Sequence, residues 1–529
     1  MKQVLFLSIC IFTLSQILFS QYNTAWVRTL DGPIQYRDEA SAIAVDDSGN
    51  VFVTGKDITG VGSICDYMTA KYNPLGQLQW VKILDIFPHD APACIAIDKA
   101  GNVIVSGYGN VGYTTIKYSS AGDSLWAVVF YVDNPGGNAI TVDDSNNIYL
   151  AGTDNYQSVA VKYNADGLVQ WSKHYSGPEN NRAWTKCINI DDAGYIYVAG
   201  RTELLSGNSG FLLMKYDSSG DTIWTRTYGD TLYDCVINAI TTDASCNIYL
   251  TGYSRVTLYI TYFITIKYDS GGNLQWAKTM SPTGSSFGQG FAVSVDKASN
   301  VYVAGNCNRS GSFSDFVTTK YNSNGDSVWA KFYNGTANNN DYLYDMVMDS
   351  LSNIYITGGT YEFIGGWNCV TIMYDSSGLQ KAIQKFDGNA NGEDEGFAVA
   401  LDKWNNVYVA GRTTDSVHYF DYLIIKYGEN LVNVKESPSP SPVEYKLHQN
   451  YPNPFNPTTT IKFDLPKASF VSLKVYNVLG QEVATLVNEK RETGSYEVKF
   501  NASTLSSGIY FYRLCAETYA ETKKLILVK

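Results

Sequence analysis

One ten-residue pattern, written eight times, limits what this chain can fold into. DDSGNVFVTG (46–55) returns as DKAGNVIVSG (98–107), DDSNNIYLAG (143–152), DDAGYIYVAG (191–200), DASCNIYLTG (243–252), DKASNVYVAG (296–305), DSLSNIYITG (349–358) and DKWNNVYVAG (402–411). Each copy reads as a strand ending in Asp, a tight turn of small polar residues, and a second strand of β-branched and aromatic residues closed by Gly. The closing glycines recur every 45 to 53 residues, a period that points to propeller blades.

A second motif keeps step with the first. Lys71, Lys117, Lys162, Lys215, Lys267 and Lys320 each open a Lys-Tyr pair and stand nine residues before Trp80, Trp126, Trp171, Trp224, Trp276 and Trp329. The unit therefore has four strands: A before the Asp, B after the turn, C ending in Lys-Tyr, and D carrying Trp. Unit eight has Lys426 and Tyr427 but no D strand after them, while an orphan D strand with Trp26 lies 20 residues before Asp46, in phase with the internal spacing of 17 to 20. The expected fold is all-β: an eight-bladed β-propeller closed by the N-terminal strand, which removes exposed sheet edges, followed by a small Ig-like β-sandwich. Unit seven is irregular, with Met373 at the Lys position and Ala382 at the Trp position.

The boundaries follow from composition. Residues 1–20 combine Lys2 with an apolar run from Val4 to Phe19 and a small Ser20, the pattern of a signal peptide. The propeller is expected over 21–430, a Ser/Pro linker over 431–445 (LVNVKESPSPSPVEY), and a strand-rich domain over 446–529. No stretch of the mature chain is long and apolar enough to span a bilayer. A net charge of −12 without a basic cluster argues against nucleic acid as a partner.

The blade pattern resembles the SBBP and NHL-type β-propeller repeats of bacterial secreted proteins, a likeness that speaks to fold and hardly to activity. The C-terminal blocks LHQNYPNPFNPTTTIKFDLP, VYNVLGQEVATL, the Gly494 to Tyr496 turn, SSGIYFYRL and TKKLILVK resemble the type A sorting domain of the type IX secretion system. That resemblance implies passage across the outer membrane of a Bacteroidota-like bacterium, with the type IX machinery as partner of 446–529 and a secreted or cell-surface destination.

The repeated Asp reads as a turn-capping residue rather than a calcium ligand, because Asp and Asn side chains satisfy backbone donors in tight turns. The strand-C lysines are expected to pair with these aspartates, and the Trp series to form inter-blade core. Cys94 and Cys187 share one strand-A position, as small buried residues do, and Cys235 with Cys246 is the pair to examine for a bridge.

Three blades place Asp five residues before the strand-C Lys: Asp66, Asp315 and Asp421. With Asp38, Glu39, Asp341, Glu393, Asp394 and Glu395 they are candidates to line a polar pocket on the rim formed by the B–C and D–A loops. His89, His174, His418 and His448 have no metal spacing, and HExxH, GxSxG, P-loop and SxDxGxTW signatures are lacking. The expectation is a binding or scaffold module for polysaccharide or a surface protein, with no catalytic residue, cofactor or metal. The alternatives are a secreted carbohydrate-active enzyme using paired rim carboxylates and a purely structural surface protein.

Overall fold

The computed structural model describes residues 22–429 and 445–528, apart from 34–35, 59–64, 86–89, 206, 230–233, 258–259, 281–285, 310–312, 364, 389–391, 416–418, 451–452, 492–493 and 518. The expected signal peptide, the linker over 431–444, His89 and His418 lie outside the described residues. Two compact units divide near residue 430.

In the larger unit six repeats, the second to the seventh, each form a four-stranded antiparallel sheet in the order A-B-C-D, resembling a propeller blade, while the strands of the first and eighth join in one eight-stranded sheet through a parallel contact of Arg37 with Phe420. Blade three is typical, with strands Gly136–Val142, Ile148–Asp154, Gln157–Tyr163 and Val169–Tyr175. The B and C strands are buried on both faces because a sheet flanks them on each side, so they read as continuous apolar runs rather than alternating ones. Blade eight has its A, B and C strands at Glu395–Leu401, Val407–Thr414 and Phe420–Glu429. Its fourth strand is Tyr22–Leu30, antiparallel to the third with Trp26 opposite Lys426.

The repeated turn has one construction. In blade three Asp143 Oδ1 accepts the backbone N–H of Ser145 (2.9 Å) and of Asn147 (2.8 Å), while Oδ2 accepts the Asn147 amide (2.8 Å) and the Tyr149 hydroxyl (3.0 Å). The carboxylate is thus saturated by its own hairpin, which explains DxxxNxY without a ligand. Opposite each closing glycine strand A carries a bulge, as between Ala40 and Ala42. A Cβ on Gly55 would stand 2.0 Å from the Glu39 carbonyl oxygen, and one on Gly411 1.8 Å from that of Glu395. The glycine is required by this close approach.

Successive blades are joined by a repeated clip, and here the expected Lys–Asp pairing is corrected. Lys71 Nζ donates to the Ser120 carbonyl in the C–D turn of the next blade (2.7 Å), and Trp80 Nε1 donates to the same oxygen (3.3 Å). The same two-donor arrangement joins Lys162 and Trp171 to Ser218, Lys267 and Trp276 to Ser323, and Lys320 and Trp329 to Ser376. Lys117 and Trp126 donate to the Ala165 carbonyl in the same way, and of the strand-C lysines only Lys117 also forms an ion pair within its blade among the described residues, to Asp98 at 2.8 Å. Each indole lies over a turn glycine of the following blade: a Cβ on Gly122 would meet Trp80 at 2.9 Å.

The clip recurs between blades eight and one, where Lys426 Nζ and Trp26 Nε1 both donate to the Pro74 carbonyl (3.2 Å each) and Trp26 lies over Gly76. A core of Trp26, Met68, Tyr72, Tyr408, Tyr422 and Ile424 fills that junction. The irregularity of blade seven then has a physical reason. Its clip would need a C–D turn in blade eight, but strands C and D of that blade come from opposite ends of the unit and no turn connects them. Met373 and Ala382 replace donors that have no acceptor, and they pack with Tyr355, Val407 and Tyr427 instead.

The smaller unit has two sheets. Lys446–Leu447, Thr458–Leu465 and Gly494–Asn501 form one; Glu482–Arg491, Ser469–Tyr476, Gly508–Ala516 and Tyr519–Leu527 form the other. Alternate residues such as Ile461, Phe463, Val471, Leu473, Tyr512, Leu514 and Leu525 make one core. The Asn-Pro-rich segment is tied to the last strand: Ile526 N–H donates to Asn453 Oδ1 (2.9 Å) and Phe455 N–H to the Ile526 carbonyl (3.0 Å).

Candidate functional site

The rim beyond the closing glycines holds most of the unusual chemistry, and the strand register orders it. Two residues past the glycine, blades seven and eight carry Thr360 and Thr413, opposite Asp341 and next to Asp394 respectively. Thr360 Oγ1 donates to Asp341 Oδ1 (2.6 Å), and Gly335 N–H donates to Oδ2 (2.7 Å). Thr413 and Gly388 serve Asp394 the same way.

Blade one keeps the glycine, with Gly32 N–H donating to Asp38 Oδ2 (2.6 Å), but puts Asp57 at the threonine position. Asp38 and Asp57 are both wholly buried. A carboxyl can donate as threonine does only if it holds a proton, and both Asp57 oxygens are buried without another hydrogen-bond partner among the described residues. Burial pushes Asp38 up to about 8 against two backbone N–H groups, with Asp57 adding to the rise, and burial raises Asp57 as well.

Asp66 faces Asp57 across the next strand and is buried; burial, then Asp85, Asp57 and Asp90, push it up to about 6. Asp421 in blade eight is half-buried and is also pushed up to about 6, by burial and then by Asp31 and Asp415. Asp31 acts on both Asp57 and Asp421, so Asp66 and Asp421 belong to one acidic arc across blades eight and one. Asp315 is elsewhere: it lies in blade six, buried, and Arg309 Nε donates to its Oδ2 at 2.7 Å. No group of three or more His, Cys, Asp or Glu among the described residues is placed to hold a metal ion.

The glutamates singled out from sequence converge on a residue that the sequence did not flag. Arg412, one position past its closing glycine, donates to Glu39 Oε1 (2.9 Å), Glu393 Oε2 (2.7 Å) and Glu395 Oε2 (2.6 Å), and lies over the Phe420 ring at 4.3 Å. Tyr344 donates to the other Glu395 oxygen (2.8 Å). Beside this network Tyr342 stacks on Trp367 (5.3 Å between centroids, 15° between planes), and Tyr361 meets the same indole edge-on at 5.7 Å. All three rings are half-buried. The only signal for them was aromatic residues at strand ends, which is common to every blade.

On the opposite rim, a cleft of about 500 Å³ opens between the A–B turns of blades three and four, beside Lys162 and Ser218. Its Asp143 and Asp191 are the turn-capping residues, occupied by their hairpins. Cys235 and Cys246 stand at the two ends of the Asp234–Thr242 strand region and form no disulfide. The pair singled out for examination is therefore unbridged, because an antiparallel hairpin carries its start and its turn to opposite rims.

Residues 449–529 match a family described as the secretion system C-terminal sorting domain. The C-terminal unit is a sorting tail, and it marks the chain for export to the cell surface or beyond. No curated protein sequence matches the chain. Among solved structures, Sqt1 from Chaetomium thermophilum is similar at 9% identity and a TM-score of 0.50, over 77% of this chain and 99% of that one. A protein from Lactobacillus plantarum is similar at 13% identity and a TM-score of 0.44, over 66% of this chain and 98% of that one. A polysaccharide lyase of family PL25, an ulvan lyase, is similar at 12% identity and a TM-score of 0.41, over 77% and 99%. These likenesses concern the fold. Among the described residues no helix is long and apolar enough to cross a membrane.

Proposed function

We propose that this chain is an eight-bladed propeller, closed into a ring by its N-terminal strand, that is exported by the type IX route and binds polysaccharide at the rim. The closed ring is supported by the clip and core between blades eight and one, which repeat those of the interior junctions. The sorting tail supports the route. The ligand reading is carried by one observation: three half-buried rings, Tyr342 stacked on Trp367 and Tyr361 edge-on to it, stand beside a fixed array of carboxylates around Arg412. Aromatic faces take the apolar faces of sugar rings, and fixed carboxylates accept sugar hydroxyls. In this proposal Asp421 contacts the ligand, while Asp66 and Asp315 shape the rim from beneath.

The test is retention of the full chain on immobilised polysaccharides, with soluble reducing ends assayed in parallel. Retention without new reducing ends is expected, and Trp367→Ala is expected to weaken it by about tenfold. New reducing ends would establish a carbohydrate-active enzyme instead. Failure to bind any glycan would turn the search to protein partners.

A further inference from the structure

Arg201 and Arg412 occupy the same position, one residue past the closing glycines of blades four and eight. Their surroundings are opposite. Arg412 is neutralised by Glu393 and Glu395 of its own blade and Glu39 of the next. At the corresponding places around Arg201 the chain has Arg182, Trp184 and Val236. Each of three carboxylates has been replaced, one of them by a second cation.

Arg201 consequently makes no hydrogen bond or ion pair with any described residue. It is half-buried and held flat on the Trp184 ring, 4.2 Å from the centroid. Tyr156 meets the same indole edge-on at 6.1 Å and carries Arg182 on its own face at 4.6 Å. The nearby acids are committed elsewhere, Glu203 to Arg182 at 3.8 Å and Asp234 to Arg255 at 3.1 Å. In a chain of net charge −12, a pre-oriented guanidinium without a counter-ion among the described residues is an open donor site for an anion.

We infer that Arg201, Trp184, Tyr156 and Arg182 form a second rim subsite, which takes an acidic sugar residue of an anionic polysaccharide. The inference rests on the glycan-binding reading above and adds the charge class and the place. Arg201 supplies a planar fork for a carboxylate or sulfate ester, the rings of Trp184 and Tyr156 supply contact area for the sugar, and Arg182, lying on Tyr156 and paired with Glu203, edges the subsite.

The experiment measures retention of the full chain on polygalacturonate, dextran sulfate, neutral dextran and poly-glutamate, for the native protein and for Arg201→Gln and Arg201→Lys. Both variants are first shown to melt like the native protein. Retention on an acidic polysaccharide is expected to fall about tenfold or more in Arg201→Gln, and less in Arg201→Lys, which keeps the charge but not the fork. Polygalacturonate and dextran sulfate distinguish a uronate from a sulfate ester. Equal retention of native protein and Arg201→Gln would overturn the inference, as would equal retention on poly-glutamate. Binding to neutral dextran alone would overturn the anionic subsite and leave the glycan reading standing; binding to no glycan would overturn both.

Discussion

Asp57 presents a carboxyl to Asp38 at the place where Thr360 presents a hydroxyl to Asp341. A second buried carboxyl in place of the hydroxyl raises Asp38 and Asp57 and so ties the stability of blade one to pH. Asp38 binds its proton up to about pH 8 in the folded chain, whereas an unfolded Asp releases it near 4. Between these values the folded state holds more protons than the unfolded one, so stability falls as pH rises. The contribution is complete below about 4 and lost as pH passes 8. Asp66 and Asp421 add the same slope between about 4 and 6. Asp57→Thr is expected to stabilise the protein more at pH 9 than at pH 5, as read from urea midpoints across that range. An equal shift at both values would show that the pair binds no extra proton on folding.

The clip between blades eight and one predicts that Trp26→Ala destabilises by about 3–5 kcal/mol, the range for a buried large aromatic. Lys426→Met is expected to cost about 1–3 kcal/mol by leaving the Pro74 carbonyl without its charged donor. Met373→Lys in blade seven, where no turn offers a carbonyl, is expected to bring no gain. Denaturant unfolding of the three variants distinguishes a closing clip from a strand that merely covers an edge.

The close approach at the closing glycines predicts unequal costs for two alanines. Gly55→Ala forces a Cβ to within 2.0 Å of the Glu39 carbonyl and is expected to prevent normal folding of blade one. Gly101→Ala meets nothing within 4 Å and bears only the strain of φ +78°, about 1 kcal/mol. Thermal melts monitored by circular dichroism compare them directly.

Arg412 and Arg201 predict opposite responses to one substitution. Arg412→Gln leaves three carboxylates together at a partly buried site and is expected to cost about 3 kcal/mol or more. Arg201→Gln removes no hydrogen bond or ion pair with a described residue and is expected to stay within about 0.5 kcal/mol of the native protein. Similar losses in the two variants would mean that Arg201 has a structural partner.

The repeat, its four strands, the phase of Trp26 and the sorting tail were legible in the order of residues, because each depends on local periodicity or contiguous motifs. The hairpin Asp was legible for the same reason: its donors lie within six residues, as Asp143 and Tyr149 show. Tertiary structure alone decided what the strand-C lysines bind, since their acceptors lie about one blade away in the chain, as Ser120 does from Lys71. It also decided which rim charges meet. Asp66 and Asp421 join one arc while Asp315 is held by Arg309, although all three sit at the same offset from their lysines. The distinction between Arg412 and Arg201 was written in the sequence but became readable only through strand register, which brings residues from two or three strands around one guanidinium. Electrostatic partners are set by spatial neighbours, and here some of those neighbours belong to another blade, as Glu39 does for Arg412.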